Sequence, residues 1–354
     1  MVKNSIITAL LAAVVPFLTG CGSVNPSGPG ITKLDLKANE GPEDLDIIQI
    51  DGKDRLMISS LDYGAKFRKT NGHIWLLSED GKRIDGPVPI VDESDTRLKS
   101  FRPHGIHVVN NPPEKPLVYV VNHVAGGDRI QAFSYEAGKL VLDPAKDWEV
   151  TPNRCNKIKH KLNDVFALPD GRVYTTEFMA GKIWYRNPNQ EALGWQALKS
   201  ATASNGLHIE DNHLYVASGL NGKICKYELS RENGAPDTAP NKFTSLQGAL
   251  DNFGYYDGTD SLLASHERQG SLLLNNLLGL NLPTPTRVYR VNFSNGKNRK
   301  ELRLKKGEKR IPIEDGSTAV KLGDHIYFGQ VFGNHVLKVA TNQIVEIDYS
   351  PCGN

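Results

Sequence analysis

Apolar and polar positions alternate with period two along most of the chain, in runs of about four to eight residues. Examples are Ile47–Ile50 (IIQI), Leu56–Ser60 (LMISS), His73–Leu77 (HIWLL), Leu117–His123 (LVYVVNH) and Arg172–Thr176 (RVYTT). The same texture continues through Lys182–Tyr185 (KIWY), His213–Ser218 (HLYVAS), Val288–Phe293 (VYRVNF), His325–Phe332 (HIYFGQVF) and His335–Ala340 (HVLKVA). β-Branched and aromatic residues fill the apolar positions, which predicts strands rather than helices. Asp51-Gly52, Asp80-Gly81, Asp170-Gly171 and Asp257-Gly258 separate such runs, where hairpins need residues tolerant of positive φ. Leu272 to Leu282 is the one leucine-rich segment that reads as a short helix.

The strands recur in a larger unit. Its openings are Glu43-Asp44, His104-Gly105, Asn163-Asp164, Asn205-Gly206, Asp251-Asn252 and Ser317-Thr318. After each come an apolar run, a turn, a second apolar run, a polar gap and a third apolar stretch. One unit runs Asn163-Asp164, VFAL, the turn Pro169-Asp170-Gly171, RVYTTEF and KIWY. Spacings of roughly 40–65 residues suit propeller blades, so the expectation is an all-β, six-bladed β-propeller. Ile31 to Leu36 is expected to add an edge strand to the last blade, whose own strands come from Ala319 to Ile347. Such closure between chain ends removes exposed sheet edges.

Length and composition fit this picture. Closed β architectures often fill 354 residues as one domain, and 33 Gly with 20 Pro match many turns. A net charge of +2 gives no footing for nucleic acid, and the basic run Lys297 to Arg310 is expected to be a solvated loop between blades. Lys3 precedes an apolar stretch, Ile6 to Leu18, that is short for a bilayer span and ends in Leu18-Thr19-Gly20-Cys21. Those four residues resemble the lipobox of bacterial lipoproteins. The resemblance implies a signal peptide over 1–20, cleavage before Cys21 and acylation of its thiol. Residues 21–30 then form a flexible tether before a propeller domain over 31–354. Gly22 after the cysteine would favour the outer membrane in a Gram-negative host. Cys155, Cys225 and Cys352 remain; their spacing fits no metal knuckle, and no disulfide pair is chosen by sequence.

The openings carry the chemistry. Glu43, Asn163, Asn205, Asp251 and Asn252 each sit where a blade's innermost strand begins, and in a ring such positions face one channel. Calcium takes about six to eight oxygen ligands, which single Asp, Asn or Glu residues from separate elements can supply. Asp44 and Asp164 follow two of the openings; since strand neighbours alternate in direction, they are expected to reach a second, deeper site. His104 opens its blade in FRPHGI and His123 ends the next run in YVVNH, so antiparallel pairing would bring both to the channel mouth. A neutral imidazole there can take a proton from water. His266, after the LLAS run, can line the same mouth.

Taken together, GPEDLDI, FRPHGI, YVVNH, KLNDV, SNGLHI, LDN and GSTAV resemble the serum paraoxonase and arylesterase family of calcium-dependent six-bladed propellers. The matches cover nearly everything from Gly41 to Val339. The resemblance implies a catalytic calcium held by Glu43, Asn163, Asn205, Asp251 and Asn252. It implies a structural calcium held by Asp44, Asp164 and the carbonyl of Ile106. It also implies a water-activating pair, His104 and His123, with Glu177 and His266 at the substrate pocket. This chain departs from animal members at Phe178, where they carry a histidine, and in the short link Met179 to Lys182, where they carry a membrane-seeking insertion. Cys352 has no counterpart near the first edge strand.

The function expected is calcium-dependent hydrolysis of lactones or aryl esters, with no GxSxG nucleophile elbow in the sequence. The partners expected are a small lactone or ester and, through the lipid anchor, a membrane of the cell envelope. Two alternatives stand beside it: a gluconolactonase-type sugar lactonase, and a lipid-anchored binding propeller whose calcium is structural.

Overall fold

A computed structural model describes residues 28–37, 40–61, 71–91, 101–111, 114–124, 127–150, 161–178, 180–200, 203–267, 284–296 and 298–349. The leader with Cys21, Cys155, Cys352 and the segment from Leu272 to Leu282 lie outside the described residues.

The strands gather into six sheets arranged as a six-bladed β-propeller, antiparallel except where Ile90–Val91 pairs parallel with Lys139–Glu149. The inner strands, in order, are Gly41–Ile50, Pro103–Val109, Leu162–Ala167, Ser204–Glu210, Ala249–Asp257 and Gly316–Leu322. Each lies against the next around the ring, and the sixth lies against the first. Hairpins follow from local chemistry: Asp51 and Gly52 both take positive φ (50° and 74°), as do Asp211 and Asn212 (47° and 59°). Paired positive φ values give the turn whose twist matches that of the flanking strands.

Six apolar clusters fill the six spaces between neighbouring blades. Ile48, Met57 and Ile74 of blade one meet Val108, Val118 and Phe133 of blade two. Trp75 and Ile58 of blade one meet Val320 and Tyr327 of blade six, which seals the ring. The other four spaces are filled in the same way. The inner strands of the blades therefore carry apolar residues into the spaces on both sides, and no blade buries its faces without its neighbours.

Ring closure is as the sequence suggests at one end: Ile31–Asp35 pairs with His335–Ala340 as the outermost strand of blade six. At the other end it differs. Ile344–Asp348 pairs with Arg299–Leu304 of blade five rather than joining the last blade. The outer edge of blade six is already taken by the N-terminal strand, and Tyr256 of blade five donates its hydroxyl to Glu346 at 2.9 Å. From Arg299 on, the basic run forms two strands joined by a short turn rather than a loop, with Lys297 outside the described residues. Arg299–Leu304 is a strand with Leu302 buried, and Glu301 within it binds both Arg287 and Arg303 at 2.9 Å. Net charge along the sequence conceals that pairing.

Candidate metal centre

In all six blades the inner strand slips register against its partner at the same place. The slips fall between Pro42 and Asp44, Pro103 and Ile106, and Leu162 and Val165. The other three fall between Ser204 and Leu207, Leu250 and Phe253, and Gly316 and Thr318. Each slip inserts one extra residue, a β-bulge, at the opening pair. Simple alternation would send Glu43 and Asp44 to opposite faces. Both are instead buried, Glu43 within the field of Asp251 and Asp44 within that of Asp164.

Two glycines let the bulges crowd together. A Cβ on Gly105 would lie 2.6 Å from the Asn163 carbonyl oxygen, and one on Gly206 would lie 2.5 Å from that of Asp251. Only a residue without a side chain fits these approaches.

The outer level gathers groups from five blades. His104 Nε2 lies 2.9 Å from Glu43 Oε1, and Asn163 Nδ2 donates to the same nitrogen at 3.4 Å. Asn205 Nδ2 donates to the Leu250 carbonyl at 3.1 Å, one residue before Asp251. His266 Nε2 lies 2.7 Å from Asp251 Oδ2, with both side chains buried. Burial, then the charge of Asp251, pushes the Glu43 carboxyl well above the usual carboxylate range.

Buried oxygens without partners mark this level. Glu43 Oε2, Asn163 Oδ1, Asn205 Oδ1 and Asn252 Oδ1 are all enclosed and accept no hydrogen bond. Leaving one such atom unpaired costs on the order of 1–3 kcal/mol, a cost that a bound cation would relieve. Among the described residues no three His, Cys, Asp or Glu side chains form a metal cluster by themselves. The donors are instead two carboxylates and three amides, a set suited to a hard, oxygen-preferring cation rather than zinc. On the chemistry of its donors, the site fits calcium.

The inner level is different. Asp44 accepts the N–H groups of Leu45 and Ile106 at 2.9 and 2.8 Å. Asp164 accepts those of Val165 and Leu207 at 2.7 and 2.8 Å. Each acid thus ties its own bulge to the next blade. The contact seen at Ile106 runs through its N–H. Burial raises both carboxyls well above their usual range, and for Asp44 the Asp164 charge adds to it.

The histidines meet at the channel. His104 Nδ1 and His123 Nε2 are 3.0 Å apart, with the rings perpendicular. Burial, then the charge of His123, holds the His104 imidazole well below its ordinary range. Glu177 is buried and accepts the Trp184 indole N–H at 2.9 Å within its own blade. The Phe178 ring covers Gly219, where a Cβ would lie 2.5 Å from its Cε2 and 3.4 Å from Asn205 Nδ2. Two buried acids escaped the sequence reading. Asp128 lies 2.9 Å from His123 Nδ1. Asp315 sits within the field of His266, its carboxyl pushed up to about 6 by burial. Only the cross-strand pairing of His123 with Asp128 could have revealed the first, because the intervening VAGG sequence carries no motif.

No protein-family model matches the chain, and no curated protein matches it. Solved structures do. A luciferin-regenerating enzyme superposes with a TM-score of 0.55 at 11% identity, over 90% of this chain and 100% of its own. A putative gluconolactonase gives 0.53 at 12% identity, covering 92% of this chain and 97% of that one. A gluconolactonase from Xanthomonas campestris gives 0.51 at 14% identity, over 90% of this chain and 99% of its own. Two of these three neighbours are described as gluconolactonases, and at such identities the likeness is one of fold.

Proposed function

We propose that this protein is a calcium-dependent hydrolase of lactones or aryl esters, of the paraoxonase-like kind. The observation that carries the reading is the set of four partnerless buried oxygens from Glu43, Asn163, Asn205 and Asn252, with the Asp251 carboxylate beside them. Glu43, Asn163, Asn205, Asp251 and Asn252 would hold the catalytic ion, and Asp44 with Asp164 would hold a second through their remaining lone pairs. Bound at the outer site, calcium supplies a Lewis acid that polarises the substrate carbonyl and stabilises the developing oxyanion.

The chain's own residues do the rest. His104, kept neutral by burial, takes a proton from the attacking water, and the proton returns to the leaving oxygen as the ester bond breaks. His266 holds Asp251 in place through its 2.7 Å contact. Phe178 supplies an apolar wall beside Asn205. Acylation at Cys21 would tether the enzyme to the cell envelope.

A sugar lactonase is the second reading, favoured by the gluconolactonase neighbours. The Asp44–Asp164 pair and the two histidines favour the paraoxonase-like one. The deciding experiment assays a lactone panel and phenyl acetate with calcium and with chelator, for wild type and Asp251→Ala. Hydrolysis lost in both chelator and variant is expected. Calcium at a hundred times its Kd should also stabilise wild type by about 2.7 kcal/mol. Activity that survives Asp251→Ala removes the reading, and a folded, calcium-loaded protein inert on every substrate points to a binding propeller.

A further inference from the structure

Asp128 has no part in the chemistry described so far, yet it stands directly behind the histidine pair. It lies on the third strand of blade two, Gly127–Glu136, opposite His123 in the ladder. Its Oδ1 is 2.9 Å from His123 Nδ1, and its Oδ2 accepts the Leu162 N–H at 2.8 Å. Leu162 immediately precedes Asn163, so one buried carboxylate is fixed between a histidine of blade two and the opening of blade three.

We propose that Asp128 is the positioning residue that sets the proton order of the His104–His123 pair, by accepting the Nδ1–H of His123. An ionised carboxylate only accepts hydrogen bonds, so His123 Nδ1 must carry a hydrogen. His123 Nε2 is then bare and accepts Nδ1–H of His104 at 3.0 Å. That leaves His104 Nε2 bare on the channel side, where Glu43 Oε1 and Asn163 Nδ2 face it. The series Asp128, His123, His104 thus delivers one basic nitrogen to the candidate metal centre. The proposal deepens the hydrolase reading and rests on it only for the catalytic consequence; the tautomers stand without it.

Asp128→Asn is the informative change. The new amide keeps its oxygen on the Leu162 N–H and turns its NH2 toward His123 Nδ1. His123 must then carry hydrogen on Nε2, His104 must accept at Nδ1, and His104 Nε2 becomes an N–H. The base is removed without moving an atom of the metal site, as in a triad whose aspartate becomes asparagine.

The test pairs kinetics with nitrogen NMR of histidine-labelled full-length protein, with and without calcium. Expected are a Nδ1-protonated His123 in wild type, the reverse in Asp128→Asn, and a fall in kcat of about a hundredfold with little change in KM. In a His123→Ala background, Asp128→Asn should cost nothing further. An Nε2-protonated His123 in wild type overturns the proposal even if the variant does not fold. An unchanged kcat beside an active wild type overturns it as well. If wild type hydrolyses nothing, the hydrolase reading fails while the tautomers still decide Asp128.

Discussion

Gly206 rests against the backbone of Asn252: a Cβ in its place would stand 2.7 Å from Asn252 Cα. Blade four thus reaches the bulge of blade five with no room for a side chain. Gly206→Ala must push Asp251 and Asn252 outward, an overpacking cost of about 1–3 kcal/mol. The expected result is weaker calcium binding by at least about tenfold, read by calorimetry, with a lowered melting temperature. Unchanged affinity and melting would mean that the two blades do not set the ligand positions.

Asp315 should make stability depend on pH. Burial raises its carboxyl from 3.8 to about 6, against the pull of the His266 charge. The folded state therefore binds this proton more tightly than the unfolded chain does. Its contribution is fully present below about pH 4 and is lost as pH rises through about 6, on the order of 3 kcal/mol in all. Asp315→Asn copies the neutral form, and asparagine tolerates the φ of 52° found there. Urea titrations should find the variant equal to wild type at acid pH and more stable at pH about 8. A variant less stable than wild type at the higher pH contradicts this account.

Closure by the N-terminal strand should be costly to weaken. Leu34 is buried in the cluster between blades six and one, opposite Val336 in the pairing. Leu34→Ala removes apolar contacts at the seam between the last blade and the first. The expected loss is about 2–5 kcal/mol, measured by chemical denaturation. A loss below about 0.5 kcal/mol, as for an ordinary surface change, would show that the edge strand is dispensable.

Much of this protein is legible in its residues. Alternation in VFAL and HLYVAS, with Asp-Gly and Asp-Asn turns between runs, specifies strands and hairpins because side-chain direction and turn sterics are local matters. The recurring openings specify the number of blades, since each unit repeats the same local pattern. What the sequence alone could not decide is where neighbouring residues point and whom they meet. Alternation places Glu43 and Asp44 on opposite faces, and only the bulge repeated in every blade brings both to the axis. The pairing of Ile344–Asp348 with blade five was hidden too, because it depends on which edge the N-terminal strand had already occupied. Asp128 and Asp315 carry no motif; the first matters through a ladder partner within its own blade, the second through the buried His266 of the neighbouring blade. Local sterics write the strands and turns, whereas the convergence of oxygens at the axis belongs to the ring, because burial and charge there are set by blades distant along the chain.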